Sequence, residues 1–389
     1  MYRMTQTMRW YGPQDPISLP ELRQAGITGI VTALHQIPVG EIWEVNDIRQ
    51  RVDMIQKAGL EWKVIESLPV HEDIKRQTGN YQRYIDNYKQ SLRNVAECGL
   101  EVVTYNFMPI LDWLRTDHQF ENEYGSKVLR YDPVKFAYFD LFLLKRDQAE
   151  NDYSKEEIEE ARQLGEKLSA EEKNTLFNNV LLGLPGSDEN FTPEIIKEQL
   201  KAYDHIDDKK LRENLIYFLS EVAPVAEEVG LKLAIHPDDP PFSVLGLPRV
   251  VSTQEDIEQI FKGVDIPANG LCYCTGSLGA RPENDLLEIF EKSKNRVHFL
   301  HLRNVKKETS GVFRESDHLD GDVPMAKVVE RILNHMNDQK ISLPMRPDHG
   351  YLHSADVHRK YYAGYSLIGR LKGLAELRGL ELGLQQNLN

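Results

Sequence analysis

The chain has 389 residues, 41% of them hydrophobic and 28% charged, and its formal net charge at pH 7 is −14. This composition is typical of a soluble globular protein with a full-sized core. The negative charge argues against nucleic acid as a partner, because phosphate binding needs a basic face. It leaves room for a small anionic substrate, since a few arginines in a cleft can overcome a diffuse acidic field.

Cysteine content and hydropathy predict a cytoplasmic protein. Three cysteines cannot form a disulfide framework, so a reducing compartment is the natural setting. Residues 1–12 lack the apolar core of a signal peptide, and no run approaches the roughly 18 to 20 apolar residues that span a bilayer. We therefore expect no association with a membrane.

Apolar runs alternate with helical patterns over the first 110 residues. Strands are predicted within residues 5–12, 26–38, 61–70 and 100–110, and helices at 19–26, 46–59 and 81–98. The helical patterns end at glycines, which are typical of helix C-caps.

The alternation stops in residues 111–215, which are rich in charged and aromatic side chains. We predict a helical insertion here, between the fourth and fifth strands. The run FAYFDLFLL (136–144) has the composition of a strand, but its helix-like surroundings favour a helix. The segment GLPGSDENFT (183–192) predicts a turn followed by a capped helix.

The alternation then returns and completes a set of eight strands. A helix at 211–229 precedes apolar runs at 231–239, 269–276, 297–304 and 341–349, which are separated by helices at 253–263, 283–294 and 325–338 and followed by an amphipathic helix at 364–382. Eight such units predict an α/β protein with a closed (β/α)8 TIM barrel. A doubly wound open sheet would carry a glycine-rich phosphate loop after its first strand, and MRWYGPQDP is not one. We therefore predict one barrel domain over residues 1–389, with the 111–215 insertion inside it.

The last four runs each end in a residue that can bind a metal. These residues are His236, Cys274, His301 and Asp348. A barrel places its active site at the C-terminal ends of the strands, so all four are expected at one rim. Two imidazoles, a thiolate and a carboxylate suit Mn, Fe, Co or Zn better than Mg or Ca. A lone strand-end histidine is more often a hydrogen-bonding group, but four such residues on consecutive strands favour a metal site.

Neighbouring residues are assigned by strand periodicity. Cys272 shares a face with Cys274 but lies further from the strand end, and His298 faces away from His301 and is predicted to be structural. Asp348 and His349 are adjacent, so in a regular strand only one of them can face the barrel axis. The other is expected to face the substrate from beyond the strand end.

Polar residues near the strand ends are candidate substrate contacts. Arg303 shares a face with His301, which makes it a candidate anchor for a substrate carboxylate, since arginine can pair with a carboxylate through two hydrogen bonds. Arg9, Arg346 and Asn304 are further candidates, although a strand-end arginine is more often part of an ion pair.

For three loop segments the sequence is compatible with more than one role. In HPDDPP (236–241), Asp238 or Asp239 either orients a ligand histidine or caps the turn. HLDGD (318–322) is a turn by composition and a candidate lid. Among the tyrosines at 361, 362 and 365, one could be a general acid and the other two are expected to pack.

Several motifs along the chain resemble those of mannonate dehydratase of the hexuronate-degradation pathway. They are MRWYG (8–12), GIVTALHQIPVGEIW (29–43), IHPDDPP (235–241), CTGS (274–277), HLRN (301–304), HLDGDV (318–323), PMRPDHG (344–350) and GYSLIGRLKGLAELRG (364–379). That family is similar in fold to the xylose isomerase-like barrels, in agreement with the count of eight units.

The resemblance implies dehydration of an aldonic acid, D-mannonate, to 2-keto-3-deoxy-D-gluconate with Mn²⁺ or Fe²⁺. His236, Cys274, His301 and Asp348 match the family's metal ligands, and His349 and Tyr365 match its proton-transfer pair. The two proton-transfer roles can be assigned either way round from the sequence. The aromatic content of the insertion would suit the interface of a homodimer.

Three other functions compete with this one. A metal-dependent sugar or sugar-acid isomerase or epimerase would use the same barrel, a metal and a base. A non-catalytic sugar-acid-binding protein would not need the additional histidine and tyrosine, and the net charge disfavours a metal-dependent endonuclease.

Overall fold

The computed structural model describes residues 2–181, 192–309 and 311–387. In chain order the strands of these residues are β1 (Thr5–Arg9), β2 (Gly29–Thr32), β3 (Glu61–Glu66), β4 (Val102–Tyr105), β5 (Asp117–Glu121), β6 (Lys127–Tyr131), β7 (Lys232–Ile235), β8 (Asn269–Cys274), β9 (Val297–His301), β10 (Val305–Lys307), β11 (Phe313–Glu315) and β12 (Pro344–Arg346).

The α-helices are α1 (Leu19–Gln24), α2 (Val45–Lys57), α3 (Glu72–Arg76), α4 (Tyr81–Glu97), α5 (Pro133–Tyr138), α6 (Lys155–Lys167), α7 (Ala170–Leu181), α8 (Pro193–Lys201), α9 (Asp208–Glu228), α10 (Gln254–Gly263), α11 (Thr275–Gly279), α12 (Leu286–Ser293), α13 (Met325–Gln339) and α14 (Leu367–Asn387). A π-helix covers Phe139–Leu144, and short 3₁₀ turns cover Ala149–Asp152, Lys294–Arg296 and Ser354–Asp356. None of the helices in the described ranges is long and apolar enough to cross a membrane.

Eight parallel strands close into a barrel in the order β1-β12-β9-β8-β7-β4-β3-β2. The predicted (β/α)8 fold is therefore confirmed. Its register brings strand ends level with one another, because Cys274 pairs with His301 across β8 and β9, and His301 pairs with Arg346 across β9 and β12. The three residues form a row at the C-terminal rim of the barrel.

The core has an inner and an outer part. Inside the barrel, one aromatic ring and five smaller side chains form a compact layer of Val31, Val64, Val102, Ala234, Cys272 and Phe299. A larger apolar cluster lies between the strands and the surrounding helices, and it includes Leu300 and Leu302, which alternate along the chain with Phe299 and His301. The predicted division of faces along residues 298–302 is therefore confirmed.

Local sequence accounts for where several helices begin. At α10, the Thr253 hydroxyl accepts the N–H of Asp256 at 3.2 Å, and the Asp256 carboxylate accepts the N–H of Thr253 at 3.0 Å. This reciprocal capping box satisfies two backbone donors that the helix itself cannot pair. At α8, the Thr192 hydroxyl accepts the N–H of Ile195, as the predicted cap requires. The turn predicted before it, at 183–191, lies outside the described residues.

The barrel strands are shorter than the apolar runs that predicted them. The run 26–38 contains only the four residues of β2, although Leu34 beyond its end is 1% exposed. Apolar residues that follow a strand are buried in loops at the rim of the barrel. Their hydrophobicity therefore indicates that they are buried, and it does not show that they pair in the sheet.

The insertion between β4 and β7 is largely helical, and FAYFDLFLL is helical within it, as α5 and the π-helix. It also contains two strands, β5 and β6, which the sequence did not predict. They join β10 and β11, from the loop after β9, in an antiparallel sheet of order β10-β11-β6-β5, called the accessory sheet below. The boundary at residue 215 also needs correction, because α9, which leads into β7, begins at Asp208.

Candidate active site

Three of the four predicted metal ligands lie together at the C-terminal rim. One donor atom each of His236, Cys274 and His301 lies within 4.8 Å of the other two. His236 follows the last residue of β7, and the other two are the last residues of β8 and β9. Three consecutive parallel strands thus supply one group of nitrogen and sulfur donors.

The hydrogen bonds of His236 and Cys274 leave Nε2 of the histidine and the sulfur of the cysteine available to a metal. Nδ1 of His236 lies 2.7 Å from the carbonyl oxygen of Pro237 and donates to it, which leaves Nε2 as the ligand nitrogen. The Cys274 sulfur accepts the N–H of Ser277 at 3.5 Å.

The electrostatics of this pair favour the thiolate. Burial raises the pKa of the Cys274 thiol, but the adjacent imidazole of His236 and, to a smaller degree, that of His301 hold that pKa well below its ordinary value. Burial lowers the pKa of His236, yet the Cys274 sulfur raises it to about 9. A thiolate is the form of cysteine that binds metals.

His301 leaves one ring nitrogen without a partner. Its Nε2 lies 3.1 Å from Nε of Arg346 and 3.3 Å from Oε2 of Glu66. Its Nδ1 is buried and has no hydrogen-bond partner among the described residues. Because such orphan groups are costly, an unpartnered buried nitrogen beside a thiolate and a second imidazole fits a metal site.

Asp348, the fourth predicted ligand, lies at the edge of this group. Its Oδ2 is 4.0 Å from Nδ1 of His301, and its Oδ1 is 2.6 Å from Nη1 of Arg346. Burial raises the pKa of Asp348, but Arg346 and its neighbours hold it well below the ordinary value, so the carboxylate is charged.

Asp348 and His349 both face the site, which a regular strand would not allow. β12 ends at Arg346, and Asp348 adopts a left-handed φ of 64°. Aspartate tolerates this conformation better than most residues. The local turn lets both side chains line one cavity, which resolves the question left open by strand periodicity.

The predicted proton-transfer pair shares this cavity. The rings of His349 and Tyr365 meet edge to face with centroids 5.1 Å apart, and Trp113 of the insertion lies 6.1 Å from His349. Burial raises the pKa of Tyr365, so its hydroxyl stays protonated at neutral pH. A larger cleft of about 800 Å³, beside α8, shares no lining residue with this cavity.

The predicted substrate contacts divide into two groups. Arg346 lines the cavity, whereas Arg9 does not, and its guanidinium contacts Glu66 and His35. Arg303 lines the cavity, but Nε donates to Glu315 at 2.8 Å and Nη1 to Asp239 at 2.6 Å. Its predicted role as a carboxylate anchor therefore depends on Nη2, which has no partner in the described part of the chain.

Asn304, a predicted substrate contact, makes its hydrogen bonds within the protein. Its amide donates to the carbonyl oxygens of His318 and Val323 and accepts the N–H of Val323. It does not line the cavity and instead holds the loop that was the candidate lid. No residue of 318–322 lines the cavity either, and the buried His318 packs against Gly373 of α14.

The remaining open alternatives are settled by contacts. Asp238 caps a loop through the N–H of Val251 and the hydroxyl of Ser252. Asp239 instead pairs with Arg115 and Arg303, so neither aspartate orients a ligand histidine. Tyr361 and Tyr362 do not line the cavity; the first hydrogen-bonds Asp356 and the second packs on Tyr11.

The sequence missed two carboxylates of the site. Glu66 is the last residue of β3 and lines the cavity, and Glu315 is the last residue of β11 and lies 3.3 Å from Nδ1 of His349. Glu66 carried the same signal as the predicted ligands, a polar residue at the end of an apolar run. Glu315 carried no such signal, because the accessory sheet was not predicted.

The comparisons with known proteins agree on one family. A family model described as D-mannonate dehydratase (UxuA) matches residues 4–389. The chain is 51% identical over 391 residues to a mannonate dehydratase of Marinomonas sp. (strain MWYL1), which covers 99% of this chain and 100% of the relative. It is 48% identical over 388 residues to a mannonate dehydratase of Chromohalobacter salexigens, with 98% and 99% covered.

Solved structures give the same result. The crystal structure of mannonate dehydratase from Streptococcus suis serotype 2 superposes with a TM-score of 0.78 at 34% identity, covering 100% of this chain and 95% of that one. A xylose isomerase-like TIM barrel protein from Mycobacterium smegmatis superposes with a TM-score of 0.53 at 14% identity, covering 99% and 98%. The second likeness concerns the fold alone.

Proposed function

The chain belongs to the mannonate dehydratase family of hydro-lyases, and from this membership we propose that it converts D-mannonate to 2-keto-3-deoxy-D-gluconate and water with Mn²⁺ or Fe²⁺. One observation carries the proposal. The donor group of His236, Cys274 and His301 adjoins the cavity that His349 and Tyr365 line together. A protein that only bound a sugar acid would need no such pair of proton-transfer groups.

The metal would be held by Nε2 of His236, the Cys274 sulfur and Nδ1 of His301, with Asp348 as the fourth ligand. Two imidazoles, a thiolate and a carboxylate suit Mn²⁺ or Fe²⁺ better than the hard cations Mg²⁺ and Ca²⁺. When bound, the ion supplies Lewis-acid stabilisation of the negative charge that develops when the substrate loses its C2 proton.

The protein's own residues move the protons. We assign to His349 the removal of the proton on C2 and to Tyr365 the protonation of the hydroxyl that leaves C3 as water. The remaining enol loses the proton of its C2 hydroxyl and gains one at C3, which gives the 2-keto-3-deoxy acid. The proton taken up by His349 replaces the one that Tyr365 gave to the departing water, so the atoms balance. The raised pKa of Tyr365 supports its role as donor, since the phenol is protonated at neutral pH.

The substrate carboxylate requires a cation at the cavity wall. Arg346 and Arg303 both line the cavity, but each is already paired with protein carboxylates. We propose that Nη2 of Arg303 receives the substrate carboxylate, because that nitrogen is buried and has no partner among the described residues.

We also propose a setting for the enzyme: a homodimer in the cytoplasm that acts in hexuronate catabolism. All three cysteines are free, which suits a reducing compartment. Tyr124 of the insertion is 70% exposed, and tyrosine is enriched at protein interfaces. Light scattering of the purified protein would give the mass of the assembly, and a monomer would contradict the dimer.

Turnover of D-mannonate by metal-stripped protein tests the reaction, with Mn²⁺, Fe²⁺, Zn²⁺ or Mg²⁺ added back one at a time. We expect 2-keto-3-deoxygluconate with Mn²⁺ or Fe²⁺ and little with Mg²⁺. An isomeric sugar acid as the product would support the isomerase alternative. No product with any of these ions would overturn the proposed reaction.

A further inference from the structure

Glu66 connects the third barrel strand to the predicted metal ligand His301. It is the last residue of β3, and its carboxylate accepts Nε of Arg346 at 3.0 Å and Nη2 of Arg346 at 2.6 Å. The oxygen that accepts Nε, Oε2, also lies 3.3 Å from Nε2 of His301. Arg346 therefore holds the Glu66 carboxylate in place, and the same carboxylate faces the imidazole of His301.

We propose that Glu66 is a positioning residue for the metal: it accepts the Nε2 proton of His301 and so leaves Nδ1 of that ring free to bind the ion. The inference rests on the metal site of the proposed function and deepens it. Glu66 is not among the residues that the sequence patterns or the resemblance assigned to this site.

Two proton arrangements compete at His301, because Nε of Arg346 lies 3.1 Å from the same ring nitrogen. If Nε2 accepted the Arg346 proton, a neutral ring would carry its own proton on Nδ1. That nitrogen has no acceptor in hydrogen-bond geometry among the described residues, and a proton there would exclude a metal.

The other arrangement gives the Nε protons of both Arg346 and His301 a carboxylate oxygen as acceptor. When Nε2 donates to Glu66, Nε of Arg346 still has Oε2 of Glu66 as its acceptor at 3.0 Å. Nδ1 then carries a lone pair and is available to the metal alone. The position of Glu66 thus selects the tautomer that a metal ligand requires.

The charge of Glu66 supports the same role. Its carboxylate lies 2.6 Å from Nη2 of Arg346 and 3.7 Å from Nη1 of Arg9, so two guanidinium groups pair with it. An ionised carboxylate that accepts the outer N–H of a ligand imidazole fixes the ring's orientation and increases the basicity of the nitrogen that binds the metal. Loss of such a partner typically costs about 10–100-fold in metal affinity.

The test measures metal binding without substrate. Glu66→Gln, Glu66→Asp and wild-type protein are dialysed against buffered Mn²⁺ and Co²⁺, and bound metal is quantified by mass spectrometry. Glu61→Gln, at the exposed start of the same strand, is the matched control. The absorption spectrum of the Co²⁺ protein reports the ligand field directly, and melting of the metal-free proteins reports folding.

We expect Glu66→Gln to bind both ions about 10–100-fold more weakly than wild type, with an altered Co²⁺ spectrum. Glu66→Asp should keep more affinity than Glu66→Gln, because the charge is retained, and it decides the question if the glutamine variant does not fold. Affinity and spectrum equal to wild type in the folded variants would overturn the role of Glu66 and leave the proposed function standing. Wild-type protein that binds neither ion would overturn the metal site itself, and this inference with it.

Discussion

A carboxylate oxygen of Glu315 lies 3.3 Å from Nδ1 of His349, although the two residues come from different sheets. Glu315 ends β11 of the accessory sheet, and His349 follows β12 of the barrel. Glu315 is held in place by Nε of Arg303 at 2.8 Å and Nη2 of Arg115 at 3.3 Å. The accessory sheet therefore supplies the carboxylate that faces Nδ1 of His349.

We predict that Glu315→Gln lowers turnover of D-mannonate while metal content stays unchanged. A carboxylate beside Nδ1 orients the imidazole and stabilises the protonated ring that forms when His349 takes a proton. A general base contributes about 10²–10⁴-fold in all, and we expect the variant to lose part of this, on the order of 10-fold in kcat.

A control for Glu315 lies in the loop between β10 and β11 of the same sheet. Glu308 pairs with Arg130 and Arg314, and its side chain is 33% exposed. Glu308→Gln should turn over at close to the wild-type rate. Wild-type kcat in Glu315→Gln would show that the contact does not serve the reaction.

Tyr365→Phe should reduce kcat by about 10²–10⁴-fold, the range for loss of a general acid, because the ring and its packing remain but the proton donor is gone. Its metal content, measured by mass spectrometry, should equal that of wild type. Tyr362→Phe is the comparison, since Tyr362 packs on Tyr11 and does not line the cavity. Near-normal turnover by Tyr365→Phe would remove that residue from the mechanism.

Cys274→Ser should lose the metal. A serine hydroxyl is not ionised at neutral pH, whereas the pKa of Cys274 is held well below its ordinary value, against the effect of burial, by the adjacent imidazoles of His236 and His301. Loss of a residue that hydrogen-bonds a metal ligand typically costs about 10–100-fold in metal affinity. Because Cys274 is a ligand itself, we expect the affinity for Mn²⁺ to fall by more than this.

Cys272→Ala provides the contrast to Cys274→Ser. Cys272 belongs to the inner layer of the barrel, and burial raises the pKa of its thiol well above the ordinary value. It should therefore be uncharged, and its loss should leave metal binding intact. Equal metal loss in the two variants would argue against Cys274 as the specific ligand.

His298 should make the protein less stable in mild acid. Burial lowers the pKa of His298 from 6.5 to about 4, and its Nε2 donates to the carbonyl oxygen of Pro267 at 3.0 Å. Between these two pH values the unfolded chain binds the proton and the folded protein does not, so stability is fully present above pH 6.5 and falls as the pH is lowered towards 4.

The slope of unfolding free energy against pH measures this effect in urea titrations. One such histidine contributes at most about 1.4 kcal/mol per pH unit within the window. His298→Gln should have a smaller slope than wild type, whereas replacement of the exposed His205 should leave it unchanged. An unchanged slope in His298→Gln would contradict the prediction.

The sequence alone was sufficient to predict the barrel and the residues at three of its strand ends. His236, Cys274 and His301 each follow or end an apolar run, and parallel strands of a barrel all end at one rim. The placement of Phe299 and His301 on one face also followed from the period of two along a strand. These features depend on local patterns and on a general rule of the fold.

The partners of those residues were decided by the tertiary structure. Arg115 and Glu315 are 200 residues apart in the chain, yet they meet because β5, which follows Arg115, is joined through β6 to β11 in the accessory sheet. The same sheet brings Glu315 to His349. Arg303 and Asn304 looked like free polar groups in the sequence, but folding pairs one with two carboxylates and the other with a loop backbone.

The physical reason for this division is the range of the interactions. Alternation of apolar and polar residues reports which face of an element is buried, so it can be read within one strand or helix. A charged group pairs with whichever opposite charge lies within a few ångströms of it, because Coulomb attraction depends on distance in space and burial strengthens it. For Glu66, Glu315 and the arginines around them, only the closed barrel and its accessory sheet determine that distance.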